Sequence, residues 1–140
     1  MIHLLIVIGA VPFLLFGAGH GALTLRDLKR PRAFTPTDPA LREAMQQSSL
    51  RFHRDWNLWR AWLGFNLTHS LGLIVFGAAF LHVGIFEPQL FASSLLIQAV
   101  AVAVSAAYLV VSLRLFFSGP VIGSAIGLAC FLAAAVLAYT

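Results

Sequence analysis

The sequence predicts an all-α protein: a four-transmembrane-helix bundle with an amphipathic cytoplasmic loop helix. Three observations lead there. Of 140 residues, 60% are hydrophobic and only 10% charged, against about 25% charged in an ordinary soluble domain. The mean hydropathy is +0.90, and a chain this short has too little interior to hide that much apolar surface from water. Finally, four apolar runs, about 2–25, 58–83, 90–116 and 121–139, each come near or exceed the ~20 residues of a spanning helix. No internal repeat or low-complexity stretch interrupts them, so residues 1–140 read as a single integral membrane domain.

The first run resembles a secretory leader only superficially. It lacks a basic start, and its cations Arg26, Lys29, Arg30 and Arg32 follow the apolar core. That order retains the helix and puts its C-terminal end in the cytoplasm. The positive-inside rule then assigns the remaining connections. The loop 26–57 is cytoplasmic, as is the turn marked by Arg114, Ser118, Gly119 and Pro120. The connection His82–Gln89 carries Glu87 and no Lys or Arg, so it faces outward with both termini. A bacterial inner membrane is the expected location.

The net charge of +4 does not call for nucleic acid. Eight of the nine Lys and Arg residues fall between Arg26 and Arg60, beside the apolar runs, where topology alone accounts for them. The single cysteine, Cys130, sits in an apolar run and has no cysteine to pair with. It reads as a small packing residue.

Within the loop, Pro31, Pro36 and Pro39 break the first half. Asp38-Pro39 reads as an N-cap followed by the favoured proline at the first helical position. From Ala40 the apolar positions Leu41, Met45, Leu50, Phe52 and Trp56 fit one amphipathic helix, lying at the surface or running straight into the second span. Trp56, Trp59 and Trp62, with Arg54 and Arg60, form an interfacial anchor.

The chemistry is concentrated in two polar seams. The second span carries Asn66 and His69 on the same helical stripe as Trp59, Trp62 and Leu73. The third carries Ser94, Gln98, Ala101, Ser105, Tyr108 and Ser112 at +3/+4 spacing. With a rise of ~1.5 Å per residue, Asn66 and His69 lie ~12–16 Å deep, and Ser105 and Tyr108 ~9–14 Å deep. Polar groups in lipid seek one another across helices, so a cluster of Asn66, His69, Ser105 and Tyr108 is expected. His20, within Gly17-Ala18-Gly19-His20-Gly21, counts only ~6 Å from the boundary on the same rise. The glycines there, Gly123 and Gly127 with Ala134 and Ala138, and Ala61, Gly64, Thr68 and Gly72 read first as packing faces.

Other chemistries fit less well. Bis-histidine haem would need His20 and His69 at one level, where the depth count separates them by ~6–10 Å. A structural metal site has no intrahelical carboxylate and no recognised histidine spacing to use. Proton-coupled transport usually draws on an intramembrane Asp or Glu, and hydrolase and P-loop patterns are missing.

The stretch Trp59-Arg60-Ala61-Trp62-Leu63-Gly64-Phe65-Asn66-Leu67-Thr68-His69-Ser70-Leu71-Gly72, with Gly19-His20-Gly21 upstream, resembles a group of small four-helix bacterial integral membrane proteins. That resemblance covers most of the chain and implies a fold without an activity. In architecture the chain is also similar to the membrane-associated eicosanoid and glutathione metabolism superfamily, which has a basic first loop and an Asn-x-x-Glu motif. Here Arg51, Arg54 and Arg60 lead to Asn66, but His69 stands where that motif has glutamate, so the likeness is one of architecture.

The functional expectation is a binding or accessory protein. Asn66, His69, Ser105 and Tyr108, open near His20, would orient the polar head of a lipophilic molecule or lipid, with Trp59 and Trp62 at the mouth. The enzyme alternative makes His69 an acid or base and gives Arg60 or Arg54 an anionic group to hold. A purely structural subunit is the third reading. The small-residue faces suit a homo-oligomer or a larger membrane complex.

Overall fold

A computed structural model describes residues 1–139. Six helices and one short hairpin follow in order: α1 (Ile2–Lys29), α2 (Pro39–Gln47), β1 (Ser49–Leu50), β2 (His53–Asn57), α3 (Leu58–Phe86), α4 (Pro88–Ser93), α5 (Leu95–Leu115) and α6 (Ser118–Leu137). Four of them, α1, α3, α5 and α6, are long and apolar enough to cross a membrane. The chain divides into two compact units, Gly17–Gly72 and the remainder, Met1–Phe16 with Leu73–Thr140. Both divisions fall inside helices, one in α1 and one in α3.

The unit built from Met1–Phe16 and Leu73 onward has an apolar core of Ile6, Ala10, Phe13, Leu73, Phe80, Phe91, Ala101, Phe131 and Ala134. Its phenylalanines pack ring against ring: Phe13 and Phe76 edge-on at 4.9 Å between centroids, Phe80 and Phe131 tilted at 5.1 Å. Such contacts add to the area they bury. Glycine makes room for them. A methyl at Gly127 would lie 2.4 Å from the Phe13 ring, and one at Gly123 2.4 Å from Phe16. The Gly123, Gly127 and Ala134 face expected from the sequence therefore packs, and two of its notches take aromatic rings. Gly77 is equally tight, since an added Cβ would stand 2.6 Å from the Leu14 backbone nitrogen.

The third apolar run is not one helix. It breaks at Ser94, whose extended backbone N-caps α5 while its hydroxyl accepts from Ile97 N–H at 3.4 Å. Gln98 then donates to the carbonyls of Phe91 (2.9 Å) and Ala92 (3.2 Å). These are among the orphan acceptors left where α4 ends. The first two members of the third-span seam thus make a helix junction.

In the unit Gly17–Gly72 the loop helix starts as expected. Asp38 accepts from Ala40 N–H at 2.9 Å with Pro39 at the first turn. It ends at Gln47, however, and an antiparallel hairpin with irregular register follows, pairing Ser49 with Asn57 and Leu50 with His53. The break lies at Ser48, whose extended backbone ends α2, so Phe52 and Trp56 fall outside the amphipathic helix the periodicity predicts. A second break separates the loop from α3: the Asn57 side chain accepts from Arg60 N–H at 2.9 Å to cap that helix, and a capping residue takes extended backbone.

Candidate functional site

Two stripes of buried polar residues face the same unit, Gly17–Gly72. On α1 they are Thr24 and Asp27, with half-buried His20 one turn earlier; on α3 they are Asn66 and Ser70. Thr24 and Ser70 spend their hydroxyls on carbonyls one turn back, His20 O at 2.9 Å and Asn66 O at 2.7 Å. This is the usual resolution for such residues in a helix. Gly21 allows the close approach, since an added Cβ would meet Ser70 Cβ at 3.3 Å.

The centre is a directed hydrogen-bond relay. Asn66 Nδ2 donates to the Trp62 carbonyl at 2.7 Å, and that oxygen can only accept, which orients the amide. Asn66 Oδ1 therefore faces His20 Nε2 at 2.8 Å. Since Oδ1 can only accept, Nε2 carries the proton. In the neutral ring the lone pair is then on Nδ1, and no side chain or backbone group among the described residues bonds it. The His69 ring meets His20 edge-on at 5.5 Å between centroids and stacks with Phe65 at 6.1 Å. Phe34 lies over His20 at 4.3 Å.

Phe34 comes from the loop after α1, and a residue the sequence analysis passed over holds it there. Asp27 is 1% exposed, and its carboxylate gathers four donors. Oδ1 accepts from Arg32 N–H (3.1 Å) and Ala33 N–H (2.9 Å), and Oδ2 from Phe34 N–H (2.7 Å) and the Thr35 hydroxyl (3.2 Å). The Phe34 carbonyl in turn accepts from Trp62 Nε1–H at 2.9 Å. A single acidic residue among Arg26, Lys29, Arg30 and Arg32, seven residues before an aromatic one, was the available signal.

The depth count had separated His20 from Asn66 and His69. The structure brings the three together because α1 continues to Lys29, four residues past the expected end. Counted from Lys29, His20 lies ~14 Å along the helix, matching the ~12 Å of Asn66 from Leu58. Trp62 belongs to the site through its bond to Phe34. Trp59 is 7% exposed, with the Arg42 guanidinium 5.6 Å from its ring centroid. Arg60 is exposed, and only its backbone N–H bonds, to Asn57. Gly64 has nothing within 4 Å of an added Cβ, and Thr68 and Gly72 are exposed, so within this unit that face is not a packed one.

Ser105 and Tyr108 belong to the other unit. Ser105 is fully buried, its hydroxyl without a hydrogen-bond partner among the described residues, and the Tyr108 ring lies 5.7 Å from Phe13. Asn66 finds its partners inside Gly17–Gly72, at His20 and Trp62. Haem ligation by His20 through Nε2 would require breaking the bond to Asn66. Among the described residues no group of three or more His, Cys, Asp and Glu is placed to hold a metal ion.

Comparison with protein-family models, with curated protein sequences and with solved structures gave no match. The site and the four long apolar helices therefore define the class by themselves: a chain with four helices long and apolar enough to cross a membrane, carrying a histidine–asparagine hydrogen-bond relay.

Proposed function

We propose that this protein binds a lipophilic small molecule or lipid whose polar head offers an O–H or N–H donor, and that His20 Nδ1 receives it. One observation carries the reading. The relay from His20 through Asn66 to the Trp62 carbonyl fixes which ring nitrogen bears the proton. Asparagine is uncharged, so it orients the imidazole without the ionic stabilisation a carboxylate would give an imidazolium. Such a ring serves as an acceptor. Phe34 lies against it, Phe65 stacks with the neighbouring His69 ring, and Trp62 bonds the Phe34 carbonyl, so polar atoms stand beside aromatic surface, the combination small-molecule sites commonly use.

The setting we propose is a bacterial inner membrane with both termini outside, supported by the clustering of eight cations between Arg26 and Arg60. A catalytic reading is favoured by one further observation, the second imidazole of His69 at 5.5 Å. In that reading His20 accepts a proton from the bound group and His69 acts beside it.

The test is native mass spectrometry of the chain extracted in mild detergent, followed by identification of any retained molecule. A hydroxyl- or amine-bearing lipophilic compound is expected. Its occupancy should fall about tenfold in both His20→Ala and Asn66→Leu, the size of one lost hydrogen bond. Retention at the wild-type level in either variant, or a compound with no donor, overturns the proposal. Conversion of that compound by the wild-type chain, lost in His69→Ala, would select the catalytic reading.

A further inference from the structure

The β1–β2 hairpin is an unusual object to leave in water. None of its residues is buried, and an isolated two-stranded hairpin is marginally stable at best. Its turn residue Phe52 is 85% exposed and Trp56 on β2 is 50% exposed. Arg51, His53 and Arg54 stand exposed around them.

The charges point the same way. Four acids occupy the segment 26–60, and three of them are engaged by hydrogen bonds: Asp27 by the 32–35 loop, Asp38 by Ala40 N–H, Glu43 by Gln47. Asp55 alone stands near Arg51, Arg54 and Arg60, and no ion pair joins those arginines to a carboxylate among the described residues. The hairpin also continues directly into a candidate span. Leu58, the first residue of α3, donates its N–H to Ser48 O at 2.9 Å, at the base of the hairpin. At ~3.3 Å per residue, Phe52 stays within ~20 Å of that entry point.

We infer that the hairpin docks on an anionic lipid surface, with Phe52 and Trp56 entering the headgroup–acyl boundary and Arg51 and Arg54 meeting lipid phosphates. An aromatic side chain beside arginine suits that layer, where one end of the group is apolar and the other wet. Each arginine near such a surface strengthens docking about fivefold. The hairpin would then set the level at which α3 enters the bilayer. This inference does not depend on the His20 site.

The experiment places a nitroxide at residue 53 (His53→Cys in a Cys130→Ala chain) and reconstitutes it in nanodiscs of phosphatidylcholine, with and without phosphatidylglycerol. Adding the anionic lipid should make the label more accessible to oxygen and less accessible to a water-soluble nickel chelate. Arg51→Gln and Arg54→Gln should each lower the docked-to-free ratio in the spectrum about fivefold, and Phe52→Ser should lower it as well. Unchanged helical circular dichroism in these surface variants keeps the comparison valid. A label equally open to the chelate in both lipids overturns the inference. So does a label shielded from both reagents in both lipids, which would mean a protein cover such as a second copy.

Discussion

The two units use opposite means of holding helices together. In Met1–Phe16 with Leu73 onward, phenylalanine rings fill notches left by glycine, and the core is apolar apart from residues such as Ser105 and Gln98. In Gly17–Gly72 the buried positions are largely polar, and Thr24, Asp27, Asn66 and Ser70 each close a hydrogen bond. Ring-in-notch packing tolerates no added volume, whereas a hydrogen-bonded seam tolerates no lost partner. The first is suited to a fixed scaffold. The second holds oriented polar atoms beside apolar surface, which is what recognition requires.

That contrast can be broken most sharply at Gly77. Its missing Cβ would stand 2.6 Å from the Leu14 backbone, so Gly77→Ala should lower stability by about 3 kcal/mol, read as the unfolding midpoint in mixed micelles. An unchanged midpoint would show that the notch is not close-packed. Asp27→Ala comes next, with a loss of about 2 kcal/mol from stranded donors to a charged acceptor. Amide exchange at Arg32, Ala33 and Phe34 should accelerate together; independent rates would mean that the carboxylate does not organise the loop.

Asn66→Leu should lower stability by about 1.5 kcal/mol, because it leaves the His20 Nε2–H without its acceptor. The imidazole nitrogen resonances should then show a mixed tautomer population where the wild type shows one. A single Nε2–H tautomer persisting in the variant would remove the relay from the argument. The smallest effect sharpens the contrast from the other side. Gly64 has open space around an added Cβ, so Gly64→Ala should raise stability by about 0.8 kcal/mol through helix propensity. Destabilisation there would mean that this face is packed after all.

Much of this was legible from residue order. Four spans follow from apolar run length, and the Asp38–Pro39 helix start from capping chemistry, because both are local properties. The polar stripe through Asn66 was equally plain from +3/+4 spacing. Its partner was not. Placing His20 beside Asn66 depends on where α1 stops, and the chain keeps coiling through polar residues to Lys29 although the apolar run ends earlier. Trp56, Trp59 and Trp62 look equivalent as an interfacial belt, yet one is exposed, one buried under Arg42 and one bonded to Phe34.

By itself, then, the sequence determined the four long apolar helices, the basic loop between the first two, and the residue types able to carry chemistry. Hydrophobicity and capping act over a few residues, so they can be read along the chain. Only the tertiary structure decided that Asn66 orients His20, that Asp27 holds Phe34 over that ring, and that a hairpin replaces the second half of the loop helix. Each of those depends on groups 5 to 46 residues apart in the chain, whose distances are set by helix ends and packing that no local pattern records.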